Sequence, residues 1–228
     1  GEDFTYPSAA YQGTYITETA QTIHADRGDA LLRPATEVFG TVSADEPEGG
    51  NKDEHIDGLI EAAKSILAAD YDFVQKTILD AQLDDIRDDL GNFRVSYDQW
   101  FSEASLVDSG AVEHALNTLK ASGHTFEQDG ALWFASSKLG DDKDRVLVRS
   151  NGSHTYFASD IAYHLNKLER GYDRLIDIWG ADHHGYVPRV RAAVSALGAN
   201  ERALDVRLVQ FAILYRNGER ASMSTRSG

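Results

Sequence analysis

The chain has 228 residues, of which 42% are apolar and 10% aromatic, enough for the core of one large domain or of a domain with a small insertion. It has no cysteine, so disulfides and thiolate metal sites are excluded, and no apolar run approaches the ~20 residues of a membrane-spanning helix. A formal net charge of -15 argues against a module devoted to nucleic acid, because phosphate contacts need lysine and arginine.

Residues 1–92 read as a mostly helical, acidic insertion region. The stretch Gly1 to Ala10 lacks the basic start and apolar run of a signal peptide, so a cytoplasmic location is expected. Ala44 to Lys52, rich in Glu, Pro and Gly, reads as a loop. Apolar residues at helical spacing follow in Ala62–Leu67 and Phe73–Leu79.

Residues 93–228 alternate strand and helix signals. Phe93, Val95 and Tyr97 alternate with polar residues, predicting a half-buried strand. Ser109 is the expected cap of a helix through Val112, Leu116 and Leu119 that Gly123 stops. Asp129-Gly130 separates Thr125-Phe126 from Ala131–Phe134, a hairpin signal. A strand over Arg145–Arg149 should turn at Asn151-Gly152, and a helix should run through Ile161, Ala162, Leu165 and Leu168. Leu175–Trp179 reads as a buried strand, followed by Gly180–Gly185 and a helix through Val190, Ala193, Val194 and Leu197. Asn217-Gly218 predicts a last hairpin. Strand, glycine-containing turn, helix is the α/β crossover pattern, and ligands in such sheets bind beyond the carboxyl ends of the strands. The expected architecture is a mixed or parallel sheet flanked by helices.

Four polar groups could carry chemistry. In Gly180-Ala181-Asp182-His183-His184-Gly185-Tyr186, the glycine permits close approach of a ligand, Asp182 could accept from ribose hydroxyls, and His183 or His184 could contact phosphate or substrate. The same Asp-His-His run also suits a metal phosphoesterase, or simply a helix-capping turn. Tyr156 and Asp160 stand one helical turn apart, and a carboxylate beside a phenol suits a guanidinium; Asp160 could equally favour a helix N-terminus. The hydroxyl-rich loop from Gly218 to Gly228 carries Arg226 and suits a pyrophosphate. Gly140–Leu147 holds three aspartates, either a Mg²⁺ site or a solvated, self-paired turn.

Taken in order, Tyr11-Gln12-Gly13, Trp100–Leu106, Asp129–Phe134, Gly140–Leu147, Tyr156–His164, Gly180–Tyr186 and Met223-Ser224 resemble the arginyl-tRNA synthetases over nearly the whole chain. The resemblance implies an α/β fold, the second half of a class I synthetase Rossmann-like nucleotide-binding domain, with residues 1–92 as the helical insertion. It implies an arginine–tRNA ligase that uses ATP with Mg²⁺ and takes arginine and tRNA, with no membrane. Tyr156, Asp160 and His183 would contact the amino acid, and Gly180, Asp182 and Ser222 the nucleotide. Met223, Ser224 and Arg226, in the second class I signature, would stabilise the phosphates in the transition state; no resident metal is expected. Two departures stand out. Ser222 and Thr225 replace both lysines of the usual Lys-Met-Ser-Lys, and no His-x-Gly-His motif is present, since His24 and His55 have the wrong neighbours. The resemblance therefore implies a piece of a longer enzyme, expected to be inactive alone, with tRNA held mainly by other domains.

Overall fold

The computed structural model describes residues 5–221, and they form two compact units. The first spans the residues up to Asp98 together with those from Leu214 onward; the second is Gln99–Ile213.

The first unit holds helices α1 (Thr14–Arg27), α2 (Ala35–Phe39), α3 (Lys52–Leu67) and α4 (Tyr71–Asn92). Asn51 caps α3, its side-chain oxygen accepting from the backbone N–H of Asp53 and Glu54 at 2.9 and 3.2 Å. Arg27 of α1 stacks 4.0 Å from the Phe73 ring of α4. Among the described residues, the buried hydrophobic side chains nevertheless all belong to the second unit. The strand expected at Phe93, Val95 and Tyr97 does not form. These residues close α4 instead: Val95 N–H donates to the Leu90 carbonyl at 2.8 Å, and Arg94 turns into the left-handed region at φ 62°. With no partner strand to pair, Phe93 is 84% exposed.

The second unit begins with α5 (Ala104–Asp108) and α6 (Ala111–Ala121). Ser109 does not cap α6; its hydroxyl donates back to the Ser105 carbonyl at 2.6 Å and ends α5, while Gly110 at φ 73° starts α6. The buried stripe of α6 is Val112, Ala115, Leu116 and Leu119, the i, i+3, i+4, i+7 spacing of one helical face. Gly123 at φ 76° ends it, with His124 N–H reaching back to the Leu119 carbonyl at 3.3 Å.

Strands β1 (Thr125–Gln128), β2 (Ala131–Phe134) and β3 (Arg145–Val148) form an antiparallel sheet in that order. The β1–β2 turn places both Asp129 and Gly130 at positive φ, 52° and 74°, as a two-residue hairpin of matching twist requires. Helix α7 (Tyr156–Glu169) follows, then β4 (Leu175–Gly180), α8 (Val187–Ala196) and β5 (Leu204–Val209). β4 and β5 pair in parallel, Leu175 opposite Leu204 and Gly180 opposite Val209, with α8 as the crossover. One face of this pair packs on Val190 and Val194 of α8. The other is open, with Ile176 and Ile178 55% and 71% exposed, so β4 is buried on one side rather than throughout. Within the described residues the two sheets of this unit remain separate. The hairpin β6 (Tyr215–Arg216) and β7 (Glu219–Arg220) turns at Asn217-Gly218 as expected and belongs to the first unit.

Candidate amino acid and nucleotide site

Two elements of the second unit carry the expected site residues that fall within the described chain: the first turns of α7 and the turn after β4. Thr155 fastens α7 to β3, its hydroxyl donating to the carbonyls of Val146 and Leu147 at 2.9 and 3.2 Å. Phe157, Ala158, Ile161, Ala162 and Leu165 bury the inner face of the helix. Asp160 is half-buried at the edge of that face. It lines a cavity of about 160 Å³ with Phe101, Glu103, Leu106, Ser159 and Tyr163. Two carboxylates and two aromatic rings at one small cavity suit a cation. Glu103 carried no assigned role in the sequence reading. The only trace of it there is its place within Trp100–Leu106.

Tyr156 does not join Asp160. It is the first residue of α7, 85% exposed, and does not line that cavity. The phenol that reaches Asp160 is Tyr186, whose hydroxyl donates to Oδ2. Burial, with the hydrogen bond and charge of Asp160, pushes the Tyr186 phenol above its ordinary range, so it remains a donor. The backbone carbonyl of Asp160 is held as well. His164 Nδ1 lies 2.7 Å from it, and His164 Nε2 lies 2.8 Å from Asp177 Oδ2 on β4. Lys167 donates to the other Asp177 oxygen at 2.7 Å. Burial alone would raise Asp177, but His164 and Lys167 outweigh it and bring its carboxyl down to about 2.

At the end of β4, Gly180 leads into a 3-10 turn over Ala181–Tyr186. A Cβ at Gly180 would meet Asp182 Oδ1 at 2.4 Å, so the glycine is what lets the Asp182 carboxylate fold back over the strand end. Asp182, His183 and His184 are exposed. His183 Nε2 stands 3.7 Å from Asp182 Oδ2, beyond a hydrogen bond, and His184 Nδ1 lies 3.1 Å from the Ala181 carbonyl. Asp182 and His183 thus face outward beyond the carboxyl end of a parallel strand. Among the described residues no three His, Asp or Glu side chains gather as a metal site.

The aspartates of Gly140–Leu147 are self-paired, as one of the two readings held, though Asp141 is buried rather than solvated. Arg145 grips Asp141 in a two-pronged pair at 2.8 and 3.0 Å, and Ser136 and the Asp142 N–H complete its shell. Burial would raise Asp141, but these donors hold it well below the ordinary carboxylate range. Asp144 accepts from the N–H and hydroxyl of Ser137. Ser222, Met223, Ser224 and Arg226 lie outside the described residues.

Residues 66–228 match the family model described as tRNA synthetases class I (R), catalytic domain. The arginine–tRNA ligase of Thioalkalivibrio sulfidiphilus is 57% identical over 229 residues, covering all of this chain and 39% of its own length. That of Legionella pneumophila subsp. pneumophila is 54% identical, again over all of this chain and 39% of its own. A Campylobacter jejuni chain whose crystal structure is described as an arginyl tRNA synthetase is 32% identical with a TM-score of 0.73, over 97% of this chain and 41% of that one. The Thermus thermophilus arginyl-tRNA synthetase, 23% identical with a TM-score of 0.55 over 75% of this chain and 34% of its own, shares the fold. The chain therefore spans about 39% of the length of the curated relatives it matches. With a family match over most of its length and relatives above half identity across all of it, the chain belongs to the class I arginyl-tRNA synthetases.

Proposed function

We propose that this chain supplies the arginine pocket and part of the ATP site of an arginine–tRNA ligase. The observation that carries this is Asp160, half-buried beside Glu103 in a small cavity and oriented by Tyr186, on a chain 57% identical to an arginine–tRNA ligase. A guanidinium is always charged and has five donors, so its receptor needs carboxylates whose oxygens are not all taken. Tyr156, at the open start of α7, would close over the amino acid together with His183.

Gly180 and Asp182 would meet the ribose at the end of β4. Ser222, Met223, Ser224 and Arg226 would stabilise the phosphates. The arginine carboxylate attacks the α-phosphorus and pyrophosphate leaves; the 3′-terminal ribose hydroxyl of the tRNA then attacks the arginyl carbonyl carbon, AMP leaves and carries off the charge, and the hydroxyl proton is lost. What the protein adds is placement and charge stabilisation, with no nucleophile of its own. Mg²⁺ enters with ATP; no described residue is assigned to it. The acidic balance of the chain leaves tRNA binding to other surfaces, and the setting is the cytoplasm. On this reading residues 93–228 are the C-terminal half of the Rossmann-like domain and residues 1–92 a helical insertion.

The test is Asp160→Asn in a full-length ligase that carries this sequence. Loss of a charge-assisted pair costs about 2–5 kcal/mol. It should appear in arginine KM and kcat/KM, with ATP KM much less affected. Unchanged arginine kinetics would remove Asp160 from the pocket.

A further inference from the structure

We propose that Tyr186 is a positioning residue for arginine, acting through Asp160, and that Arg189 and the buried Asp141–Arg145 pair hold Tyr186 in place. The inference rests on the reading that Asp160 receives the guanidinium.

A lone carboxylate on a half-buried helix position can rotate about its last torsion, and freezing that rotation on binding costs affinity. The Tyr186 hydroxyl donates to Oδ2 of Asp160 and fixes the carboxylate plane, leaving Oδ1 for a ligand. Such a donor helps only if it is itself rigid. The Tyr186 ring meets Phe157 edge-on at 6.0 Å and Trp179 at 5.9 Å, and it packs against both apolar clusters of the second unit. Among the described residues it is the one aromatic ring that packs on both clusters and bonds Asp160.

The Arg189 guanidinium closes the third side, 4.6 Å from the Tyr186 ring centre and 5.7 Å from that of Phe157. Arg189 Nε is buried without a hydrogen-bond partner and stands 3.8 Å from Asp141 Oδ2. The guanidinium lies over the Tyr186 ring and is drawn there by the charge of Asp141. Asp141 is in turn pinned by Arg145, whose Nε and Nη2 take its two oxygens. The acidic loop after β2 thus reaches the pocket through three steps, carboxylate on guanidinium, cation on ring and phenol on carboxylate.

Tyr186→Phe keeps the ring and removes only the hydroxyl. In a full-length ligase carrying this sequence, arginine KM should rise about tenfold, the usual scale for one hydrogen bond to a charged group. ATP KM should stay within about twofold. General loss of folded enzyme would lower kcat alone, so the split between the two KM values keeps the result decisive. In an Asp160→Asn background, where no charged oxygen remains to orient, the added effect of Tyr186→Phe should shrink to about twofold or less. An unchanged or lowered arginine KM overturns the proposal, the latter meaning that the hydroxyl merely occupies the guanidinium's place. Asp160→Asn measured alongside separates the two failures. If it is silent, the pocket reading itself fails; if it is strong while Tyr186→Phe is silent, only the positioning role fails.

Discussion

Asp177 shows how a single charge serves two ends at once. It is 7% exposed, yet it holds His164 of α7 and Lys167 one turn on, and His164 grips the Asp160 carbonyl. A carboxyl held at about 2 against 3.8 contributes about 2 kcal/mol of stability. Because the folded value is the lower one, that contribution is complete above pH ~4 and fades as pH falls through ~2. Asp177→Asn should therefore cost about 2–4 kcal/mol at neutral pH in urea unfolding and flatten the acid limb of the stability profile. A variant as stable as the parent at pH 7 would show that the network carries no net stabilisation. None of this is legible from residue spacing. His164 and Asp177 stand thirteen positions apart on different elements, and Tyr186 lies twenty-six from Asp160. Tyr156 and Asp160 drew notice because local spacing brings i and i+4 residues to one side, but local spacing says nothing about which phenol arrives from elsewhere.

At the scale of elements, helices α6 and α7 are readable because their apolar stripes repeat at the helical period over two or more turns. The Asp129-Gly130 hairpin was readable because both positions need positive φ, which few residues tolerate. Phe93, Val95 and Tyr97 misled because an alternating triplet specifies a strand only when a neighbour supplies hydrogen bonds, and here the end of α4 takes the Val95 N–H first. Leu175–Trp179 reads alike whether one face is covered or two. The same backbone logic predicts opposite effects of one substitution at two glycines. Gly123 sits at φ 76° with nothing near its missing Cβ, so Gly123→Ala should destabilise by about 1 kcal/mol through strain alone. Gly91 lies in the last turn of α4, without positive φ and equally open, so Gly91→Ala should stabilise by about 0.5 kcal/mol. Thermal melts of the two variants, shifting in opposite directions, check both; a shared sign would mean the local backbone is not the cause.

For the whole molecule, the uneven distribution of burial matters most. Among the described residues every buried hydrophobic side chain belongs to Gln99–Ile213, while the helices of the first unit pack through half-covered residues and carry exposed ion pairs within single helices. Exposed pairs of that kind contribute little. Amide hydrogen exchange should accordingly be slow in α6, α7 and α8 and at least about tenfold faster across α3 and α4. Equal protection in both units would show that packing beyond these side chains steadies the first. No helix among the described residues is long and apolar enough to cross a membrane.

The parallel pairing of β4 with β5 has a consequence in time. On the ribosome β4 emerges first and finds no partner until α8 and then β5 have followed, whereas the β1–β2 hairpin can close as soon as two more residues pass its turn. Ile176 and Ile178 are thus exposed during synthesis for the length of a helix, and stay exposed in this unit afterwards. A nascent chain that has emerged from the tunnel past β4 but not yet as far as Leu204 would present that unpaired apolar strand to any chaperone waiting at the exit.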